Sequence, residues 1–231
     1  MSKWDELKSR AYRANMDIPK YGLAIYTFGN VSAFDAKEGV FAIKPSGVPY
    51  DELTEDEMVV VDLDSKTVDG RLRPSSDTRT HAVLYRNFTG LGGIVHTHST
   101  YATAWAQARR PIPILGTTHA DHLAFDIPCT KIMSDEAVER DYEEETGNQI
   151  LEAVAGLDPT VVQMVLVAGH GSFTWGEGPE KAVYNAVVLE EVARMAFVTY
   201  AINPCAPRLP DSLIRKHYER KHGPRAYYGQ K

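Results

Sequence analysis

The chain has 231 residues, a length that suits one domain, because hydrophobic cores stop growing at about 250–300 residues. Hydrophobic residues make up 43% of the chain and charged residues 24%, which excludes a disordered protein and allows a sizeable core. The formal net charge of −6 repels nucleic acid, so we expect no nucleic-acid partner and a local cationic site for any anionic substrate.

The chain also lacks the usual signals of secretion. Residues 1–7 contain no apolar run of the signal-peptide type, and no segment approaches the ~20 apolar residues that span a bilayer. Cys129 and Cys205 are single, widely separated thiols, which form neither a disulfide framework nor a Cys-rich zinc pattern. We therefore expect a cytoplasmic protein with no membrane partner.

Apolar periodicity predicts short strands interleaved with helices. The first half is expected to contain a helix over 3–17, a hairpin of strands 30–34 and 40–44, a strand at 58–61 after the capping-box pair Thr54 and Glu57, and a helix from Ser75 to about 88. The second half is expected to contain strands at 92–96, 162–168 and 173–175, and helices after Ser99, from Ser134 toward 154, at 179–201 and at 210–221.

These elements do not alternate as regular βαβ units, and no repeat or linker-like run divides the chain. The sequence therefore predicts an α/β fold in which residues 1–231 form a single three-layer α/β/α domain, with a central sheet that is mainly antiparallel or mixed.

A group of metal-binding side chains is suggested where two apolar strands end. His96 and His98 are two positions apart on a strand, so both imidazoles leave the same face. His170 follows the second apolar strand, and Asp77 stands at a helix start. Three imidazoles and a carboxylate suit a borderline divalent ion such as zinc, which would act as a Lewis acid on a carbonyl. The alternatives are that Asp77 is only an N-cap and that His170 only marks a tight turn.

Small and hydroxylated residues at turns provide candidate anion-binding positions. They occur as Gly29-Asn30, Lys44-Pro45-Ser46-Gly47 and Ser75-Ser76. Each group is also explained by the ordinary conformational preferences of turns, so that reading stays open from the residues alone.

Taken together, the motifs resemble the bacterial L-ribulose-5-phosphate 4-epimerases of the class II aldolase/epimerase family, in order and spacing over essentially the whole chain. The matching runs are Phe28–Ser32, Ile43–Gly47, Pro74–Thr78, Gly93–Ser99, Gly116–Asp121, Ile127–Thr130, Glu145–Asn148, Gly169–Gly171, Lys216–Tyr218 and Ala226–Gln230.

The resemblance implies a role for each matching position. The implied metal ligands, for zinc or another divalent ion such as manganese or cobalt, are Asp77, His96, His98 and His170. The implied substrate-binding residues for a phosphorylated ketopentose are Gly29, Asn30, Lys44, Ser46, Gly47, Ser75 and Ser76. Asp121 and Tyr228 match the acid/base residues, and Tyr228 is implied to act across a subunit boundary in a cyclic homotetramer. His217 and Arg220 are weaker candidates for the neighbourhood of that tyrosine.

The implied reaction inverts C4 of L-ribulose 5-phosphate to give D-xylulose 5-phosphate. C4 is not adjacent to the ketone and carries no acidic proton, so the family cleaves the C3–C4 bond by a retro-aldol step and re-adds the aldehyde through its other face. One residue takes a proton on one face and a second returns one on the other.

Two rival functions belong to the same fold: an aldolase, which would release the aldehyde, and a metal-free scaffold, as in the adducin head. Family aldolases typically carry Glu where this chain has Asp77, so Asp77 favours the epimerase. One departure from the family pattern is the run His122-Leu123-Ala124-Phe125, where relatives have more aromatic residues, and His122 is a second candidate proton donor.

Overall fold

A seven-stranded sheet forms the middle layer of the computed structural model, in which residues 2–224 and 226–229 are described. Its order is β4-β3-β2-β1-β5-β7-β6, and each neighbouring pair is antiparallel. The strands are β1 (Asn30–Asp35), β2 (Val40–Ile43), β3 (Val59–Asp62), β4 (Thr67–Asp69), β5 (Gly93–Thr97), β6 (Met164–Val167) and β7 (Gly171–Gly176).

Helices cover both faces of this sheet. They are α1 (Asp5–Lys20), α2 (Thr78–Asn87), α3 (Thr100–Gln107), α4 (Thr117–Ala120), α5 (Asp135–Ala153), α6 (Pro179–Ile202) and α7 (Asp211–His222), with a 3-10 turn at Glu55–Glu57.

Strand alternation explains the two helical layers, because successive side chains leave opposite faces of the sheet. In β3, Val60 joins a buried cluster with α1 and α6, whereas Val59 and Val61 join another with α2 and α5. The predicted three-layer α/β/α fold is therefore confirmed, and its sheet is built of antiparallel ladders.

The local expectations are largely confirmed. The β1–β2 hairpin pairs Ser32 with Ile43 and Asp35 with Val40. Two elements were not anticipated: β4, a three-residue strand at the sheet edge with mostly exposed side chains, and α4, a single helical turn. Neither is long enough to show a periodic apolar pattern.

Among the helices of the described residues, none combines the length and the apolarity needed to cross a membrane. The cytoplasmic location and the single-domain interpretation remain predictions. Met1 and Lys231, which bound the predicted domain, and Gln230, which closes the last motif, lie outside the described residues.

Candidate metal centre and substrate cavity

Three histidines come together at one end of the sheet. The Nε2 atoms of His96 and His98 are 3.0 Å apart, and the His170 ring centroid lies 4.7 Å from that of His96 and 4.9 Å from that of His98. One ring nitrogen from each histidine lies within 4.8 Å of those of the other two. This cluster could hold a metal ion.

The sheet topology produces this convergence. His96 lies on β5, which pairs with β7, and His170 lies in the turn between β6 and β7. His98 follows the last residue of β5, so the expectation that it lies on the strand is wrong by one position, yet its imidazole still meets His96.

The residue after His170 must be small. A Cβ at Gly171 would lie 2.7 Å from the Thr97 carbonyl oxygen and 3.3 Å from ring atoms of both His96 and His98. Gly171 therefore lets the β6–β7 turn approach the other two histidines.

Hydrogen bonds orient two of the rings. His96 Nδ1 lies 3.0 Å from the Ser172 carbonyl oxygen, to which it can donate, so its Nε2 lone pair is left for an ion. His170 Nδ1 lies 3.2 Å from the hydroxyl of Tyr142. Because Nδ1 of each ring is engaged, Nε2 is the nitrogen available to an ion, and His170 Nδ1 would then donate to the Tyr142 oxygen.

Two of the histidines, His98 and His170, are suited to bind as neutral imidazoles. Burial, with the positive charge of neighbouring His96 and His98, lowers the pKa of His170 to about 4. Burial and His96 also lower the pKa of His98. Neutral rings are the form that ligates divalent ions, so this donor set fits an ion of the zinc type.

Asp77 stands beside the three histidines but outside the group of mutually close ligand atoms. Its Oδ2 accepts hydrogen bonds from Asn30 Nδ2 at 2.7 Å and from Ser75 Oγ at 3.4 Å. It occupies the N-cap position of α2, but its side chain accepts no capping hydrogen bond, so the N-cap explanation does not account for the carboxylate. Burial alone would raise the Asp77 pKa, but His96, His81 and the Asn30 hydrogen bond outweigh burial and lower it.

A cavity of about 550 Å³ opens over the histidines. It is lined by Thr27, Phe28, Gly29, Asn30, Lys44, Pro45, Ser46, Gly47, Ser75, Ser76, Asp77, His96, His98, Tyr142, Glu143 and His170. All seven residues expected to bind substrate and all four expected to bind metal therefore line one cavity. The three separate turns predicted as anion-binding positions meet there.

Lys44 provides the positive charge of the cavity wall. The residue is only 2% exposed, and its Nζ donates to the backbone carbonyls of Val48 and Pro45. Burial lowers the pKa of Lys44 to about 8, so it is still mostly protonated at neutral pH.

Asp121 and Tyr228 lie together in a second cluster and do not line the cavity. The Asp121 carboxylate accepts two hydrogen bonds from Arg220, at 2.9 and 2.7 Å, and lies 3.0 Å from His217 Nδ1. The Arg220 guanidinium in turn lies 5.2 Å from the centroid of the Tyr228 ring. Tyr228 is 62% exposed to solvent. We call these residues, Asp121, His217, Arg220 and Tyr228, the α7 cluster.

Charges within the α7 cluster keep Asp121 ionised. Burial opposes ionisation, but the hydrogen bonds from Arg220 and His217 outweigh it and lower the Asp121 pKa.

For His122, burial and the positive charges of Lys221 and Lys181 lower the pKa to about 4. His122 is therefore neutral at pH 7, which does not favour it as a proton donor.

Tyr142 and Glu143 line the cavity but were not among the expected site residues. Both follow a kink in α5, where Asp141 has the non-helical angles φ −170° and ψ 93° and pairs with Arg79. The sequence of α5 has the pattern of a continuous acidic helix, so its periodicity does not indicate a bend toward the cavity. Their place just before the Glu145–Asn148 motif was the available signal.

Comparisons with known proteins place these features in context. Residues 9–197 match the family model described as Class II Aldolase and Adducin N-terminal domain. The chain is 54% identical over 226 residues to the L-ribulose-5-phosphate 4-epimerase UlaF of Salmonella paratyphi B and, equally, to that of Salmonella typhi. Each alignment covers 98% of this chain and 99% of the relative.

Solved structures show the same fold. An L-fuculose 1-phosphate aldolase superposes with a TM-score of 0.78 at 24% identity, covering 95% of this chain and 97% of the other. YgbL of Klebsiella pneumoniae, titled a putative aldolase/epimerase/decarboxylase, superposes with a TM-score of 0.73 at 25% identity, covering 94% of this chain and 99% of the other.

Proposed function

The chain belongs to the Class II Aldolase and Adducin N-terminal domain family, and from this premise we propose that it is a metal-dependent L-ribulose-5-phosphate 4-epimerase. It would interconvert L-ribulose 5-phosphate and D-xylulose 5-phosphate by cleaving and re-forming the C3–C4 bond. The relatives named for this activity support the proposal with 54% identity over nearly the full length of both chains. The observation that carries it is the meeting of three histidines and an anion-binding wall in one cavity.

His96, His98 and His170 would hold a divalent ion, zinc in our proposal, with Asp77 as the fourth ligand. When bound, the ion supplies Lewis acidity that stabilises negative charge developing on the ketose oxygens. Asn30 and Ser75 hold the Asp77 carboxylate beside the histidines by hydrogen bonds. Burial favours the neutral form of His98 and His170, and the lowered pKa of Asp77 keeps its carboxylate ionised, so Asp77 brings a negative charge to the cation.

The rest of the cavity lining would bind the substrate phosphate. Ser46, Ser75 and Ser76 offer hydroxyl groups, and Gly29 and Gly47 leave the backbone open to close approach. The ammonium of Lys44 donates to two backbone carbonyls and lies over the Tyr50 ring, and no carboxylate pairs with it within the described residues. A dianionic phosphate would therefore find a cation and several donors together.

Asp121 and Tyr228 would supply the acid and base from another subunit. Because both belong to the α7 cluster and neither lines the cavity of their own chain, they would reach a neighbour's cavity in a cyclic homotetramer. Asp121, held as an anion, can accept a proton, and the Tyr228 phenol can donate one. The two would serve opposite faces of the carbon that is inverted.

The identity of the product tests this proposal. Protein supplied with zinc is incubated with L-ribulose 5-phosphate, and D-xylulose 5-phosphate and glycolaldehyde phosphate are quantified over time. We expect D-xylulose 5-phosphate without accumulation of the free aldehyde. Accumulation of glycolaldehyde phosphate would instead indicate an aldolase, and no turnover with no bound metal would indicate a scaffold.

A further inference from the structure

A buried polar column joins β1 to α2 beneath the Asp77 carboxylate. Asn30 and Ser32 point to one face of β1, and Asp77, His81 and Tyr85 are spaced by four residues along α2, so the two rows face each other. Asn30 donates to Asp77 at 2.7 Å. The Ser32 hydroxyl lies 2.7 Å from His81 Nδ1 and 2.7 Å from the Tyr85 hydroxyl.

His81 is fully buried between aromatic rings. Its centroid lies 6.5 Å from that of Phe41 and 6.0 Å from that of Phe173, and Phe173 stacks on His96 at 4.3 Å. The other ring nitrogen, Nε2, has no hydrogen-bond partner among the described residues. A buried polar atom without a partner is costly, so its presence next to a reactive site calls for a role.

The donor of the Tyr85–Ser32 bond decides where the His81 proton lies. The Tyr85 hydroxyl lies 2.7 Å from Ser32 Oγ, where either oxygen can be the donor, and 3.4 Å from the Ser32 carbonyl oxygen. The relay takes the shorter contact, with Tyr85 as the donor to Ser32 Oγ. The Ser32 hydroxyl hydrogen is then free to be donated to His81 Nδ1, which leaves the imidazole proton on Nε2.

The Nε2–H group makes no hydrogen bond to Asp77 within the described residues, so its effect on the carboxylate is electrostatic. The His81 backbone N–H donates to the Asp77 carbonyl at 3.0 Å, one helical turn away, and helical side chains lean toward the N-terminus of their helix. Asp77 and His96 are the ionisable groups whose charges act on the His81 ring. An N–H dipole in this position attracts the carboxylate, whereas a lone pair there would repel it.

We propose that Tyr85, Ser32 and His81 form a relay of hydrogen bonds that ends on His81, and that the dipole of the His81 Nε2–H group favours the orientation of Asp77 that a divalent ion needs, with His81 as the positioning residue. The inference rests on the proposed function because it takes Asp77 as a ligand. Supporting groups behind metal ligands typically change metal affinity by about 10–100-fold when removed.

The test measures the affinity of the metal-free protein for Co²⁺ alone, by titration of its visible absorption. His81→Met removes the donor while keeping an apolar side chain, and we expect about tenfold weaker binding and an altered spectrum. His81→Gln can place an amide N–H near the position of Nε2, so it should bind within about threefold of the unchanged protein. Tyr85→Phe keeps the ring and loses only the first donor, so its binding should weaken by an intermediate factor.

Three comparisons make the result decisive. His119→Met, which alters another buried histidine away from the cavity, should leave Co²⁺ affinity unchanged, and circular dichroism checks the folding of every variant. Equal losses in the Met and Gln variants, or unchanged affinity in Tyr85→Phe, would overturn the relay. Asp77→Asn separates the two proposals: if it binds Co²⁺ normally, the ligand assignment fails, and if only it weakens binding, the relay fails.

Discussion

At the residue scale, burial changes the pH at which Lys44 loses its positive charge. An exposed lysine stays protonated well above physiological pH, but the pKa of Lys44 is lowered to about 8 because its ammonium is largely removed from water. The charge that would attract the substrate phosphate therefore disappears within a pH range in which the protein can be assayed.

Lys44 predicts a pH-dependent loss of substrate capture. Below about pH 8 the ammonium is charged, and above it the neutral amine predominates, so kcat/KM should fall as the pH rises through about 8. In Lys44→Arg the guanidinium stays charged, and the decline should move to higher pH. A pH profile of kcat/KM for both proteins checks this, and an identical alkaline decline in the two would refute the assignment.

At the residue scale, the sequence indicated which residues line the cavity where the signal is chemical, while their roles stay predictions. His96, His98 and His170 are uncommon ligand types at strand ends, and the resemblance identified the turns that carry Lys44 and Ser75. The sequence could not predict that Asp121 lies outside the cavity lining, because its position depends on how α7 packs. The position of His81 beneath Asp77 depends on the facing of α2 and β1 in three dimensions.

At the element scale, close packing of α2 against α5 supports the cavity, because Asp77 is the N-cap of α2 and α5 carries Tyr142. A Cβ at Gly147 would lie 2.6 Å from the Val83 Cβ and 2.8 Å from its Cγ1. Gly147 therefore lets the two helices approach. Three local features could not be predicted from apolar periodicity, because tertiary contacts of this kind determine them. They are the kink at Asp141, the short α4 and the edge strand β4.

Gly147→Ala should lower the free energy of unfolding by about 1–2 kcal/mol, because the overlap outweighs the ~1 kcal/mol that alanine gains in helix propensity. Adding Val83→Ala should restore part of the loss, since it removes the opposing methyl groups. Denaturant unfolding measures both, with Gly116→Ala as the control, where a Cβ meets no heavy atom within 4 Å. A Gly147→Ala protein as stable as the original would contradict the close packing.

At the scale of the whole molecule, the active site is proposed to be built from two subunits. Each chain would contribute a metal-binding cavity to one site and an α7 cluster to the next site around the ring. The arrangement accounts for the separation of Asp121 and Tyr228 from the cavity within one chain. The three-layer fold was predictable from the sequence, but the assembly was available only through the resemblance.

Mixed tetramers test the shared site. His98→Ala lacks a competent cavity and Tyr228→Phe lacks the phenol, so each alone should be nearly inactive, although the second should still bind metal. In randomly mixed tetramers about one quarter of the sites would combine an intact cavity with an intact Tyr228, and activity should recover to about that fraction. Activity no higher than the average of the two parents would show that both halves come from one chain.

The histidine centre is the claim on which the rest depends, and a metal titration tests it most directly. The protein is stripped with a chelator and titrated with Zn²⁺ while bound metal and formation of D-xylulose 5-phosphate from L-ribulose 5-phosphate are measured together. The account predicts no activity in the stripped protein and a rise proportional to bound metal, ending near about one ion per chain. Full epimerase activity in the thoroughly stripped protein would contradict it.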